Sequence, residues 1–236
     1  MEQRETVITT ARIGQRGRLI LPAQVQRATG ITQGAVVALR TAPDGTITIE
    51  PLRAVRARLR ATYTPLLTGH LPTGPAQLHV GGRDADPDDL GAVLQPLPER
   101  DPGTGRRVYR DDQRLVLTAR AILAWFTASP HLVENALPYA VLPEAAVTDL
   151  ITTLAQAGAH QRADALLADL AVFGVRLPGP AKHRATLAED TAVALELTRK
   201  AAQLGYTLTL ADALCAATAL RLEARLVAAD LLTPAS

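Results

Sequence analysis

Hydrophobic and polar positions follow two different rhythms along this chain, and the change falls near residue 114. At the amino end the runs are short. Thr6 to Ile13 is β-branched and loosely alternating, which predicts a strand. Gly14, Gln15, Arg16 and Gly17 predict a turn, and Arg18 to Leu21 a second strand. Pro22 suits the first position of a helix, where its missing N–H costs nothing. That helix is expected to run to about Thr29, with Gly30 as the left-handed residue that ends it. Val36 to Arg40 and Ile47 to Glu50 read as strands joined around Asp44-Gly45, a strong hairpin dipeptide. Four short strands and one short helix bury little apolar surface, so this module is expected to pair with a second copy of itself.

Residues 52–113 are a different material. Leu52 to Tyr63 predicts an arginine-rich helix carrying Arg53, Arg56, Arg58 and Arg60. Prolines, glycines and aspartates follow in HLPTGP, GGRDADPDD and ERDPGTG, which reads as a linker with short structured pieces.

From Arg114 onward longer periods take over. Leu115 to Leu117 predicts an apolar strand and Ala121 to Ala128 a helix. Pro138 to Leu142 and Val172 to Val175 are further strand candidates. Glu144 to Gln156, His160 to Leu170, Thr186 to Leu204 and Thr209 to Glu223 predict helices, and Arg225 to Ala228 a last strand ending at Asp230. Such alternation argues for a mostly parallel sheet covered on both faces. The expected organisation is an α+β module over 1–51, a linker over 52–113 and an α/β/α domain over 114–236.

Composition narrows the classes. With 236 residues, 47% of them hydrophobic, the chain has material for two cores. No run of eighteen apolar residues occurs, so no membrane partner is expected. The opening MEQRETVITT lacks the apolar centre of a signal peptide. A single cysteine, Cys215, rules out an intrachain disulfide and fits a reducing, cytoplasmic setting. Cys215 lies on an alanine-rich helical stretch and reads as buried filler. Aromatics at 3% argue against a base-stacking platform for single strands. The five histidines, His70, His79, His131, His160 and His183, have no zinc-ligand spacing.

Charge is unevenly shared. Residues 1–60 carry ten arginines against four acids, whereas the rest of the chain is slightly acidic. The basic excess belongs to the first module and points to a polyanion as its partner. Guanidinium forks match phosphates and guanine edges, and phosphate contacts dominate nucleic-acid affinity. Double-stranded DNA is the expected partner, and a dimer would present the basic surface twice. The alternative is that these arginines only solvate a protein interface.

The segment GQRGRLILPAQVQRATGI, with GAVVAL and DGTITIEP, resembles the AbrB/MazE-type swapped-hairpin (SpoVT-AbrB) domain. The resemblance rests on Arg16-Gly17-Arg18, Leu21-Pro22, Gly30-Ile31 and Gly34, and covers about a fifth of the chain. It implies a homodimer of interleaved hairpins whose DNA contacts fall on Arg12, Arg16 and Arg18, with no cofactor required. A helix arginine frequent in that family aligns with Gln26, and the neighbouring Arg27 is basic instead.

The segment YTLTLADALCAATALRLEARLVAAD resembles the carboxyl half of a PIN domain of the VapC toxin type. VLPEAAVTDLITTL and LVLTARAILAWF resemble its second acidic helix and its opening strand and helix. The resemblance implies a metal-dependent ribonuclease using Mg²⁺ or Mn²⁺, with RNA as substrate and Asp149, Asp212 and Asp230 as ligands. A hard divalent ion of this kind takes few carboxylates and orients a water for attack.

Two departures weaken that implication. Thr118 stands where the family has its first aspartate, and a neutral hydroxyl cannot replace a carboxylate. Ala228 stands where a hydroxyl residue is common. Asp111 and Asp112 precede the strand and are expected at its far end, roughly 20 Å off at about 3.3 Å per residue. Each acid also has a structural alternative: Asp212, three residues after Thr209, fits a helix cap, Asp230 a solvated strand end, and Asp149 a helix surface. In toxin–antitoxin pairs of this type the tail behind the DNA-binding module wraps the toxin. Arg53 to Arg60 would begin such a tail, and an arginine there could neutralise the acids. The sequence thus predicts a dimeric DNA-binding regulator carrying a degenerate PIN-like domain. The other reading is a fused toxin–antitoxin ribonuclease.

Overall fold

The computed structural model describes residues 9–35, 37–79, 96–109, 113–127, 132–133, 136–177 and 184–234. The chain divides into two compact units, Met1–Arg58 and Leu59–Ser236. The division falls inside a helix rather than at residue 51 or 113.

In the first unit the expected strand pair around the arginine turn shrinks to a single antiparallel bridge between Ile13 and Leu19. The Gly14 N–H donates to the Arg18 carbonyl at 2.8 Å, and Gln15–Gly17 forms a 3-10 turn. Residues 9–12 are not in a strand, and the rest of that expected strand lies outside the described residues. Two segments this short do not sustain a ladder by themselves. Helix α1 spans Ala23–Thr29, with Pro22 just ahead of it and Gly30 closing it at φ 64. Arg53 donates to the carbonyls of Thr29 and Gly30 at 3.0 and 3.1 Å, which satisfies the exposed end of α1. A side chain at Gly30 would collide with that guanidinium.

Strands β1 (Val37–Thr41) and β2 (Ile47–Pro51) form the expected antiparallel hairpin, while Val36 lies outside the described residues. Asp44 Oδ1 accepts the Thr46 N–H at 2.9 Å and Gly45 sits at φ 83. The register pairs Leu39 with Ile49 and Thr41 with Ile47, so Leu39, Ile47 and Ile49 share one face. Arg40 and Glu50 pair at 3.4 Å on the other.

Helix α2 (Leu52–Leu67) includes the expected arginine-rich segment and runs from the first unit into the second. In the second unit Arg60 donates to the Trp125 carbonyl at 3.2 Å and the Tyr63 hydroxyl to the Arg162 carbonyl at 3.1 Å. Tyr63 stacks on Phe126, and Trp125 meets Phe173 edge-on. These rings anchor the core.

The sheet of this unit contains β3 (Gln77–His79), β4 (Leu115–Leu117), β5 (Ala140–Val141) and β7 (Arg225–Ala228), in the order β3-β7-β4-β5. Strand β4 runs parallel to β5 and β7, but β3 is antiparallel to β7, so the sheet is mixed. The parallel part follows the sequence rhythm. The extra strand comes from the stretch read as linker, where three residues among prolines and glycines give no rhythm to read. Beyond the sheet, β6 (Tyr206–Thr207) and β8 (Thr233–Pro234) pair antiparallel.

The helices are α3 (Ala119–Thr127), α4 (Glu144–Gln156), α5 (Ala163–Val172), α6 (Arg184–Gln203) and α7 (Leu210–Arg221). Two expected strands differ. Pro138 lacks an N–H for a ladder, and Leu137–Tyr139 is a 3-10 turn that leaves only Ala140–Val141 as strand. Helix α5 runs through Val172, and only Arg176 bridges to Val141. His131, His183, Asp111 and Asp112 lie outside the described residues. Among the described residues no helix is long and apolar enough to cross a membrane.

Candidate functional site

Strands β4 and β7 are parallel, with Leu117 opposite Val227, so the residues after both emerge at one edge of the sheet. Ligands of open α/β sheets collect at such carboxyl edges. Thr118 leaves β4 there. Its N–H donates to the Val227 carbonyl at 3.1 Å, and its Oγ1 accepts the Ala121 N–H at 3.1 Å. The residue that replaces the expected first acid is therefore the cap of α3, fully buried.

Asp212 enters from the first turn of α7. The Thr209 hydroxyl accepts the Asp212 N–H at 3.1 Å and donates to Asp212 Oδ2 at 2.8 Å. The cap predicted from the spacing thus exists, yet it uses only one carboxylate oxygen. Asp212 is 1% exposed, and its Oδ1 has no hydrogen-bond partner among the described residues. Burial pushes its pKa up to about 6, against the lowering pull of Thr209 and Arg120, while Asp149 adds to the rise. Asp149, half-buried in the second turn of α4, is also raised by burial and opposed by Arg120.

Asp230 follows β7 at φ 47, a conformation aspartate tolerates better than most residues. Its Oδ2 accepts from the Thr73 N–H at 2.7 Å, the Thr73 hydroxyl at 3.0 Å and Arg120 Nη2 at 3.3 Å. Thr73 approaches this closely because Gly74 follows it. A Cβ at Gly74 would lie 2.6 Å from Asp230 Oδ1. Beside them a cleft of about 210 Å³ opens between Gly74, His79 and Asp230.

Arg120, on the first turn of α3, is the group that sequence reasoning missed. Its charge acts on Asp149 and Asp212 and it pairs directly with Asp230. Of the four arginines between residues 53 and 60, three have partners as follows. Arg53 caps α1, Arg58 pairs with Glu50 at 2.5 Å, and Arg60 holds the Trp125 carbonyl. A signal was present: Arg120 is the one charge in the helix ARAILAWFT.

These residues fit a divalent ion poorly. The described residues contain no group of three or more His, Cys, Asp or Glu placed to hold a metal. Asp230 Oδ2 already takes three donors, one cationic. Thr118 is neutral and committed to its helix. Cys215 is buried on α7, and burial pushes its thiol pKa well up, away from the thiolate that a nucleophile requires.

In the first unit Arg16 and Arg18 lie in the turn closed by the Ile13–Leu19 bridge and Arg12 lies just before it, and all three are exposed. Arg16 sits at φ 61. Arg27 is exposed on α1, away in sequence from the turn. Among the described residues none of these four forms an ion pair. Gln26, exposed on α1, donates from Nε2 to the Leu21 carbonyl at 2.8 Å.

Comparison with models of protein families, with curated proteins and with solved structures finds no match to this chain.

Proposed function

We propose that this chain is a homodimeric DNA-binding protein of the transcription-regulator class. In this reading its second unit keeps the outline of a PIN-type nuclease but serves for interaction. The observation that carries it is the exposed arginine turn, where Arg12, Arg16 and Arg18 have no counter-charge among the described residues. Arg16 holds a left-handed conformation that costs a non-glycine residue on the order of 1 kcal/mol, strain of the kind found where a side chain has a task. Duplex phosphates supply the missing charge.

Self-association is supported by the same unit. Among the described residues its buried apolar ones are Ile31, Ala38 and Val55. Ile13, Leu19, Ile20, Leu39 and Ile47 stay exposed, Ile20 by 78% and Leu39 by 65%. A hairpin that turns its aliphatic face to water needs a second apolar surface. A second copy, interleaving hairpins as the swapped-hairpin resemblance implies, provides one.

Salt-dependent binding of the full chain to the duplex upstream of its own coding sequence tests this. Arg16→Ala with Arg18→Ala is expected to weaken binding at least about tenfold. The slope of log K against log salt should fall by about one for each phosphate that the variant no longer neutralises. Unchanged affinity and slope would remove the basis of the proposal. Sedimentation equilibrium checks the dimer, and Leu39→Glu with Ile47→Glu is expected to shift it to monomer.

The metal-dependent ribonuclease is the second reading, kept by the unpartnered Oδ1 of Asp212. Arg120 and the helix-capping role of Thr118 weigh against it. Magnesium- or manganese-dependent RNA cleavage by the full chain, abolished in Asp212→Asn, would favour it.

A further inference from the structure

Arginine recurs on a second exposed turn, this one in the second unit. Arg100 and Arg107 form an antiparallel bridge that closes the loop from Asp101 to Arg106. The Asp101 N–H donates to the Arg106 carbonyl at 2.8 Å, and the Val108 N–H to the Glu99 carbonyl at 3.0 Å. Hydrogen bonds therefore flank the bridge on both sides, and Arg100 and Arg107 are a non-hydrogen-bonded pair. In such a pair the opposed side chains share one face and come closest. Like charges placed this way are destabilising. The acids of the hairpin, Glu99 and Asp101, alternate to the other face. Asp101 Oδ1 accepts from the N–H groups of Gly103 and Thr104 at 2.8 and 2.7 Å, which fixes the loop. Arg100 Nη1 donates to the Gly105 carbonyl at 3.1 Å, and Arg107 lies over the Tyr109 ring at 5.8 Å. Arg100, Arg106 and Arg107 are all exposed, and among the described residues neither Arg100 nor Arg106 forms an ion pair.

We propose that this hairpin is a β-ribbon contact to duplex DNA, with Arg100, Arg106 and Arg107 on its phosphates. The major groove admits a two-stranded ribbon as it admits a helix. Guanidinium forks on both strands of the ribbon match phosphate oxygens. A phosphate beside Arg100 and Arg107 offsets the repulsion within their pair. The loop is already held by Asp101, so little freedom is lost when DNA docks. The second unit thereby adds DNA contacts of its own. The proposal rests on the DNA-binding reading for its ligand, but on different residues in a different unit.

Salt-dependent binding of the full chain to a duplex of mixed sequence tests it, because phosphate contacts do not depend on sequence. Arg100→Gln with Arg106→Gln is expected to weaken binding about tenfold at physiological salt and to reduce the slope of log K against log salt by about two. Arg106→Gln alone breaks no side-chain hydrogen bond of the hairpin and should take about half of that slope. Arg162→Gln with Arg176→Gln removes the same charge from exposed positions elsewhere on the unit and should leave the slope unchanged. An unchanged slope in the hairpin variants, or an equal drop in the control pair, would overturn the proposal. So would a hairpin dependence seen with single-stranded RNA and not with the duplex. Loss of slope at Arg16 and Arg18 alone refutes the hairpin and keeps the first-unit site, while loss at the hairpin alone does the reverse. A wild-type chain that binds no duplex refutes both.

Discussion

Two arginine–carboxylate contacts of the second unit are built to different standards. Between α6 and α7, Asp190 accepts from Arg221 Nε at 2.7 Å through Oδ1. Its Oδ2 accepts from Arg221 Nη2 at 2.9 Å and from the Thr218 hydroxyl at 2.9 Å. Both oxygens are answered, the fork is bidentate, and the pair raises the Arg221 pKa. At the sheet edge, Arg120 faces three acids through one long hydrogen bond, and a buried oxygen is left unanswered. The difference teaches where to look for chemistry. A closed pair holds two helices together, while an open cluster has capacity left for something else.

The largest effect should come from breaking the closed pair. Arg221→Leu leaves Asp190 buried with only Thr218 as donor. We expect a loss of about 3 kcal/mol in urea unfolding, the low end for a broken buried pair because Arg221 keeps about a third of its side chain in water. Arg120→Met should cost less, on the order of 1 kcal/mol, since it breaks one long, partly exposed hydrogen bond to Asp230 and removes a charge that acts at longer range on Asp149 and Asp212. Equal losses for the two would erase the comparison.

A smaller effect, with a sign set by pH, is expected at Asp212. Its pKa stands at about 6 when folded against an ordinary 3.8. Between those values the folded chain binds the extra proton, so this group's contribution is most favourable below about pH 4 and declines as pH rises through 6. Asp212→Asn removes the buried charge and can still accept from Thr209. It should stabilise the chain at pH 7.5 by an amount on the order of 2 kcal/mol, and the gain should shrink toward zero near pH 4. A gain independent of pH would show that the buried charge is not its source.

The contrast between the clusters also explains what could be read from the sequence. Helix α4 and strand β7 fall at their expected bounds because periodicity and flanking residues agree there. The mixed α/β architecture with parallel strands at its centre was legible from the alternation of elements. Strand β3 was not, because three residues between prolines carry no period. Arg120 stayed hidden because a lone arginine in the first turn of an apolar helix leaves no local sign of a carboxylate partner 110 residues on. Asp190 and Arg221 were equally hidden, since a pair 31 residues apart on different helices leaves no local pattern. The arginine turn was legible from its residues, but the strands around it were not. Among the described residues they reduce to the single bridge between Ile13 and Leu19.

Thr118 gives the smallest and most specific test. Its hydroxyl caps α3 at the edge of the open cluster, and Thr118→Ala should cost about 1 kcal/mol through removal of the cap. Thr118→Ser should cost only a few tenths. Aspartate caps a helix as well as threonine does, so Thr118→Asp separates the two roles of this position. If 118 matters only as a cap, Thr118→Asp should be less stable than wild type by the burial cost of an added charge, whatever stands at 120. If Arg120 is the cation of the cluster, its positive charge offsets the new carboxylate, and Thr118→Asp should be tolerated with Arg120 present but strongly destabilising beside Arg120→Met. A double-mutant cycle on unfolding free energy at pH 7.5 measures that coupling, and a coupling of zero would place Arg120 outside the cluster's charge balance.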